Sequence, residues 1–351
     1  MLAYYSPRHL LHRDQSEFIG GQLRPGFELP VRAERVRQAY LDAALGNCIE
    51  PPDQGLEPVL AVHDAAYVDF LAGAWSEWAA LGHRHPALPM IWHAGAGLPR
   101  IVPRHIEGRL GFYSIDAGCA IVEGTWPAVY WSAQCAIAGA DALGEGRRSA
   151  FAICRPPGHH AAAALMGGYC YLNNAAIAAE RLRRRGFARV AILDVDYHHG
   201  NGTQSIFWRR GDVFFASLHA DPHDDYPYFS GHADECGEGP GLGQTLNLPL
   251  PAGTTGAAYL AAFDRAIDAI AAGGCDALVV SLGVDTFDGD PISKFRLHHA
   301  DYLEMGRRMR RLGLPALFVF EGGYATDEVG DNTVAVLVGH ESAGSEKERP
   351  T

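Results

Sequence analysis

Val190-Ala-Ile-Leu-Asp194-Val-Asp196-Tyr-His198-His-Gly-Asn201-Gly-Thr203 opens on an apolar run and closes on a polar, glycine-containing turn. The run is too short for a helix and has no polar alternation, as expected of a strand covered on both faces. Residues 150–154, 213–218, 277–282 and 316–320 repeat its character. Between these runs, residues 172–185, 257–272 and 300–312 have helical spacing, and Gly186, Gly273 and Gly313 stand just beyond them as stops. Repeated strand-helix alternation predicts an open α/β sheet with central parallel strands.

Upstream, Tyr67, Leu71, Ala74, Trp78 and Leu81 share one helical face, and Pro127 opens another helix that runs through Leu143. The segment 82–111 between them is rich in Pro, Gly and His and too long for an ordinary connection, which marks it as either a functional insertion or a disordered one. Residues 1–340 read as one domain and 341–351 as a polar tail. A chain of 351 residues that is 48% apolar and 20% charged can bury a large core, which excludes a disordered class. Its formal net charge of -12 argues against a nucleic-acid partner and favours cationic ones. The basic run 181–185 falls at a helix end, where cations suit the macrodipole. Seven dispersed cysteines with no Cys-x-x-Cys pair suggest neither a disulfide framework nor a thiolate metal site. With no leader pattern and no bilayer-length apolar run, the expected location is cytoplasmic, without a membrane partner.

Ligand sites of open α/β sheets form beyond the carboxyl ends of the strands. Asp196 and His198 follow one such end, and in an extended segment they point to the same side. Ser281-Leu-Gly-Val-Asp285 adds a second carboxylate after another strand. Carboxylate, imidazole and carboxylate form a three-ligand set that leaves a tetrahedral zinc one open position, the arrangement of a catalytic site. Arg155-Pro-Pro-Gly-His159-His160 brings two imidazoles to a third strand end, where one can act as a base. Phe320-Glu-Gly-Gly-Tyr324 brings a phenol, a possible donor to a developing oxyanion, to a fourth.

These four pieces, in this order, resemble the histone deacetylase superfamily. The resemblance implies the arginase-deacetylase fold, a three-layer α/β/α sandwich with a mainly parallel, roughly eight-stranded sheet. It assigns one zinc to Asp196, His198 and Asp285, and catalytic roles to His159, His160 and Tyr324. It also implies that Asp194 orients His159, and that Asn201 stands beside His160 where some branches carry aspartate. An amide cannot stabilise imidazolium as a carboxylate does, so the His160 pKa should be lower here than in those branches. A potassium ion is implied at Asp194 and Ser217 as a structural cation.

Within the superfamily, Ser281-Leu-Gly-Val-Asp285-Thr-Phe-Asp-Gly-Asp290-Pro291, the Glu-Gly-Gly-Tyr ending and the long 82–111 loop are similar to bacterial acetylpolyamine amidohydrolases. In that branch the loop supports a homodimer and narrows the tunnel for slender cationic acetylated amines. The similarity puts Glu107 near the tunnel mouth and makes Gly168, Tyr169 and Tyr226 substrate-binding residues. Gly118 stands where polyamine-selective members place a second glutamate, a departure that points to a broader acyl-lysine-like range. The expected reaction is hydrolysis of N-acetyl amides, with acetyl-lysine deacetylation as the alternative. A dinuclear ureohydrolase of the arginase type needs further carboxylates that Gly283 and Phe287, the same-side neighbours of Asp285, do not supply. A non-catalytic acyl-amine binding protein has no use for Tyr324 and both histidines.

Overall fold

Successive residues of the quoted strand enter opposite cores. In the computed structural model, which describes residues 1–13, 15–19, 21–93 and 99–342, Val190 and Ile192 join one apolar cluster while Ala191 and Leu193 join another. Strand side chains alternate between faces, so two covered faces demand a run with no polar residue. Ala277 and Val279 against Leu278 and Val280 repeat the division.

Along the chain the described residues form β1 (Leu2–Tyr4), β2 (Ser16–Ile19), β3 (Gln22–Pro25), β4 (Cys48–Ile49), β5 (Ser149–Ala152), β6 (Val190–Asp194), β7 (Val213–Ala220), β8 (Thr245–Leu250), β9 (Ala277–Leu282) and β10 (Ala316–Phe320). Eight of them make one sheet in the order β4-β1-β5-β10-β9-β6-β7-β8, with every neighbouring pair parallel. β2 and β3 form a separate antiparallel hairpin.

Helices Val31–Asp42, Gly256–Ala272, His299–Arg311 and Val329–Ser342 bring Tyr40, Phe263, Met305 and Val336 to one face of the sheet. Helices Thr125–Gly144 and Asn174–Arg184 bring Ala140 and Ala179 to the other. The result is the three-layer α/β/α sandwich. Small residues allow the second pair to sit close: a Cβ on Gly139 would lie 2.5 Å from Leu317 Cδ1. Asn173 starts the second of these helices by accepting from Ala176 N, a side-chain cap that satisfies an otherwise unpaired amide.

Tyr67, Leu71, Ala74 and Trp78 pack in a third cluster with Ile106, Leu110 and Ile121. Leu81 departs from the expected face and is exposed, because the helix Ala65–Ala80 has already ended. The segment 82–111 carries more structure than a loop: Ala87 bridges Ile121, and a helix spans Ile106–Phe112. Residues 94–98 of it lie outside the described part. Of the tail expected from 341, Glu341 and Ser342 belong instead to the last helix, and Ser149 Oγ donates to Glu341 at 2.8 Å. Its remainder lies outside the described residues. Among the described residues no helix is long and apolar enough to cross a membrane.

Candidate active site and metal centre

Asp196 and His198 leave the end of β6, and Asp285 leaves the end of the adjacent β9. All three are buried, and each offers a donor atom within 4.8 Å of the others. Backbone amides aim the carboxylates. Gly322 N donates to Asp196 Oδ2 at 2.9 Å, His198 N to Asp196 Oδ1 at 3.0 Å, and Tyr197 N to Asp285 Oδ1 at 2.8 Å. Glycines keep the space clear: a Cβ on Gly283 would lie 2.1 Å from Asp196 Oδ2, and one on Gly322 would lie 2.4 Å from that oxygen and 2.7 Å from Asp285 Oδ2.

Burial opposes a charge on His198, yet hydrogen bonds to Asp196 and Asp285 outweigh it and raise the imidazole to about 10. Burial, then the Asp196 charge, raises Asp285 to about 7. Two enclosed carboxylates competing for one cationic neighbour create a demand for positive charge that a divalent ion meets. Two carboxylates and one imidazole fit zinc with one position left open.

The paired histidines follow β5. Glu321, at the end of β10, accepts from Gly158 N at 2.6 Å and His159 N at 3.2 Å, which ties their turn to the neighbouring strand end. His159 Nδ1 lies 3.0 Å from Asp194 Oδ2. Burial works against a charge on this ring, but Asp196 and Asp194 raise it to about 10. His160 Nδ1 lies 2.7 Å from Asn201 Oδ1. Burial first, then the charges of His159 and His198, push His160 well below the usual imidazole range, so it stays neutral. Two adjacent histidines thus hold different charges.

Tyr324 follows Gly322 and Gly323, and Gly323 adopts φ +127°, a conformation that L side chains rarely take. Asp290 Oδ2 accepts from Tyr324 N at 2.6 Å. On the other side, the Arg32 guanidinium stands 4.5 Å from the centre of the Tyr324 ring and donates to Gly323 O at 2.5 Å and Glu321 O at 2.6 Å. Glu28 neutralises it, pairing with both Arg32 and Arg155. A cavity of about 310 Å³ opens onto His160, His198 and Tyr324, with Gly168, Tyr169 and Tyr226 along its walls. Glu17, Phe18, Phe27, Asp116, Ala117, Gly118 and Ile292 complete the lining.

The structure therefore brings Asp194, Asp196, His198, Asp285, His159, His160, Asn201, Tyr324, Gly168, Tyr169 and Tyr226 to one place. It does not bring Glu107 there. That residue occupies the first turn of the helix Ile106–Phe112, where the helix dipole favours an acidic side chain, and its side chain is mostly exposed beside His105. Ser217 faces Asp194 across β6 and β7, and its Oγ pairs with His219 Nδ1 at 2.8 Å. Glu17, Asp116, Arg32, Asp290 and Glu321 bear on the site without having been expected to. Asp290 and Glu321 lie within the quoted motifs, a signal that could have found them, whereas Glu17 and Asp116 sit in stretches with no local pattern.

A histone deacetylase domain model matches residues 27–339. Acetylpolyamine amidohydrolase 2 of Pseudomonas aeruginosa is 53% identical over 97% of this chain and 99% of its own length. Acetylpolyamine amidohydrolase of Mycoplana ramosa is 48% identical, again over 97% of this chain and 99% of its own. Among solved structures, the acetylpolyamine aminohydrolase of Burkholderia pseudomallei superposes with a TM-score of 0.93 at 39% identity, covering 98% of this chain and 99% of that one.

Proposed function

The chain belongs to the histone deacetylase domain family, and from that premise we propose that it hydrolyses the acetyl amides of acetylpolyamines and related small acetylated amines, releasing acetate and the free amine. Relatives of that activity match nearly end to end, which supports the reading. The observation that carries it is the convergence of the Asp196, His198 and Asp285 donors, with His198 lining a cavity shared with His160 and Tyr324.

In this reading Asp196, His198 and Asp285 hold one zinc per chain. When bound, zinc supplies Lewis acidity, polarising the acyl carbonyl and making water easier to deprotonate. Neutral His160 takes a proton from the attacking water, its Nδ1 held by Asn201. His159, kept cationic by Asp196 and Asp194, balances the negative charge that develops nearby. The Tyr324 hydroxyl donates to the oxyanion, and a protonated imidazole returns a proton to the departing amine. The carbonyl-to-amine axis runs along the cavity between Tyr169 and Tyr226, whose rings flank the acyl chain. Asp194 and Ser217 hold a structural potassium, the 82–111 segment supports a homodimer, and the enzyme works in the cytoplasm on small cationic substrates.

A competition assay tests the function. The purified, zinc-loaded protein is offered N-acetylputrescine, N-acetylcadaverine, acetylspermidine and an acetyl-lysine peptide together. Consumption of the acetylpolyamines ahead of the peptide is expected. Preferential cleavage of the peptide would transfer the reading to protein deacetylation, and failure to cleave any of the four would overturn it.

A further inference from the structure

Asp116, on the connection between the helices Ile106–Phe112 and Thr125–Gly144, lines the cavity, yet both of its carboxylate oxygens are engaged by the protein itself. Oδ2 accepts from Gly168 N at 2.9 Å and from the Tyr226 hydroxyl, and Oδ1 accepts from Gly118 N at 2.8 Å. The first two donors come from distant segments, and both press on one ring. Gly168 lies flat against His160: a Cβ there would be 2.3 Å from His160 Cδ2. Tyr226 meets His160 edge-on, with ring centroids 5.0 Å apart and planes at 87°. Gly168 also holds φ +52°, a backbone state kept in place by the bond to Asp116.

We infer that Asp116 is a positioning residue of this site, whose single carboxylate fastens Gly168 and Tyr226 against the imidazole of His160. The inference rests on the proposed function, because the ring so held is the one that takes the proton. Ionised acceptors make stronger hydrogen bonds than neutral ones, and three donors converging on two oxygens use what a carboxylate offers and an amide does not. An asparagine presents one acceptor and an N–H pair, so at least one of the three donors would face another donor. The competing role for an acid in this cavity is direct recognition of the substrate's distal ammonium. The occupation of both oxygens by protein donors favours positioning.

The test uses zinc-loaded Asp116→Asn with two substrates of the same length, cationic N-acetylputrescine and uncharged N-pentylacetamide. On the positioning role kcat falls roughly tenfold or more on both substrates, while KM moves less than about threefold. A loss confined to the cationic substrate and carried by KM would overturn the inference in favour of ammonium recognition. Tyr226→Phe, which removes only the hydroxyl, serves should the first variant fold poorly. It should lower kcat on both substrates, and combining the two substitutions should cost less than the product of the single losses; fully multiplicative losses would count against a shared route through Tyr226. A crystal structure of Asp116→Ala, which removes both acceptor oxygens, decides without turnover. Departure of the Tyr226 ring from its contact with His160 supports the inference, and an unmoved ring sinks it. Wild-type protein that cleaves neither substrate counts against the proposed function alone, and the ring position then still decides on Asp116.

Discussion

The Nδ1 atom of His160 lies 2.7 Å from the Oδ1 atom of Asn201, and because an amide oxygen only accepts, Nδ1 carries the proton and Nε2 keeps the lone pair. The neighbouring His159 makes the same contact with the carboxylate of Asp194 at 3.0 Å. One turn therefore presents one imidazole with an anionic partner and one with a neutral partner; Asp196 and Asp194 keep the first charged, while burial and the charges of His159 and His198 keep the second neutral.

Replacing Asn201 by Asp gives His160 an anionic partner and raises its pKa by roughly one unit. On the proposed mechanism activity needs neutral His160 and is lost as pH falls through that pKa. The acidic limb of the kcat/KM profile should therefore move to higher pH. A pH–rate series on wild type and Asn201→Asp measures it, and superimposable limbs would show that the amide has no electrostatic role.

Tyr324→Phe removes the proposed oxyanion donor and leaves the ring against Arg32. A drop in kcat of about a hundredfold is expected, with metal content and melting temperature unchanged. Steady-state kinetics beside elemental analysis decides; undiminished turnover would remove the hydroxyl from the reaction.

Asp285→Ala takes away one of the three proposed metal donors and relieves the repulsion between the Asp285 and Asp196 carboxylates. Wild type should bind one zinc per chain and melt at a higher temperature when zinc is added, because a ligand bound only by the folded state stabilises it. The variant should lose that gain. Two metals per wild-type chain would instead favour a dinuclear centre of the ureohydrolase type.

His63 tests an acid-sensitive contact away from the metal. Its Nε2 accepts from Asn173 N at 2.9 Å, beside the turn that carries the paired histidines, and burial lowers the ring to about 4. The unfolded chain binds this proton near pH 6.5. Between pH 6.5 and about 4 the unfolded state is thus the more protonated one. The contribution is complete above pH 6.5 and is lost as pH falls through this window, by roughly 1.4 kcal/mol per unit. His63→Gln keeps an acceptor without a titrating ring, so its urea midpoints should fall less steeply from pH 6.5 to 4. Parallel slopes would assign the acid sensitivity to other groups.

The central strands were legible because burial on both faces leaves an apolar run without polar alternation, as in residues 190–193 and 277–280. β1, β4 and β8 were not, since strands of two to six residues at a sheet edge or beside it carry too little pattern. The helix Val329–Ser342 escaped for another reason: it is buried nearly all round, so it has no polar stripe to reveal its period. Glu107 shows the limit for single residues. The family similarity suggested the tunnel mouth, but the residue sits in the first turn of a helix with its side chain mostly in solvent.

Local pattern was enough for Asp196, His198, Asp285, His159, His160 and Tyr324, because a parallel strand delivers whatever follows its carboxyl end to the same edge of the sheet. It could not say which other groups those residues would meet. Asp116 reaches Gly168 across 52 residues and Tyr226 across 110, and Arg32 reaches Gly323 across 291. Contacts of that span have no periodicity and no neighbouring motif to announce them. They exist only once the sheet, its helices and the connections above it have been assembled into one shape.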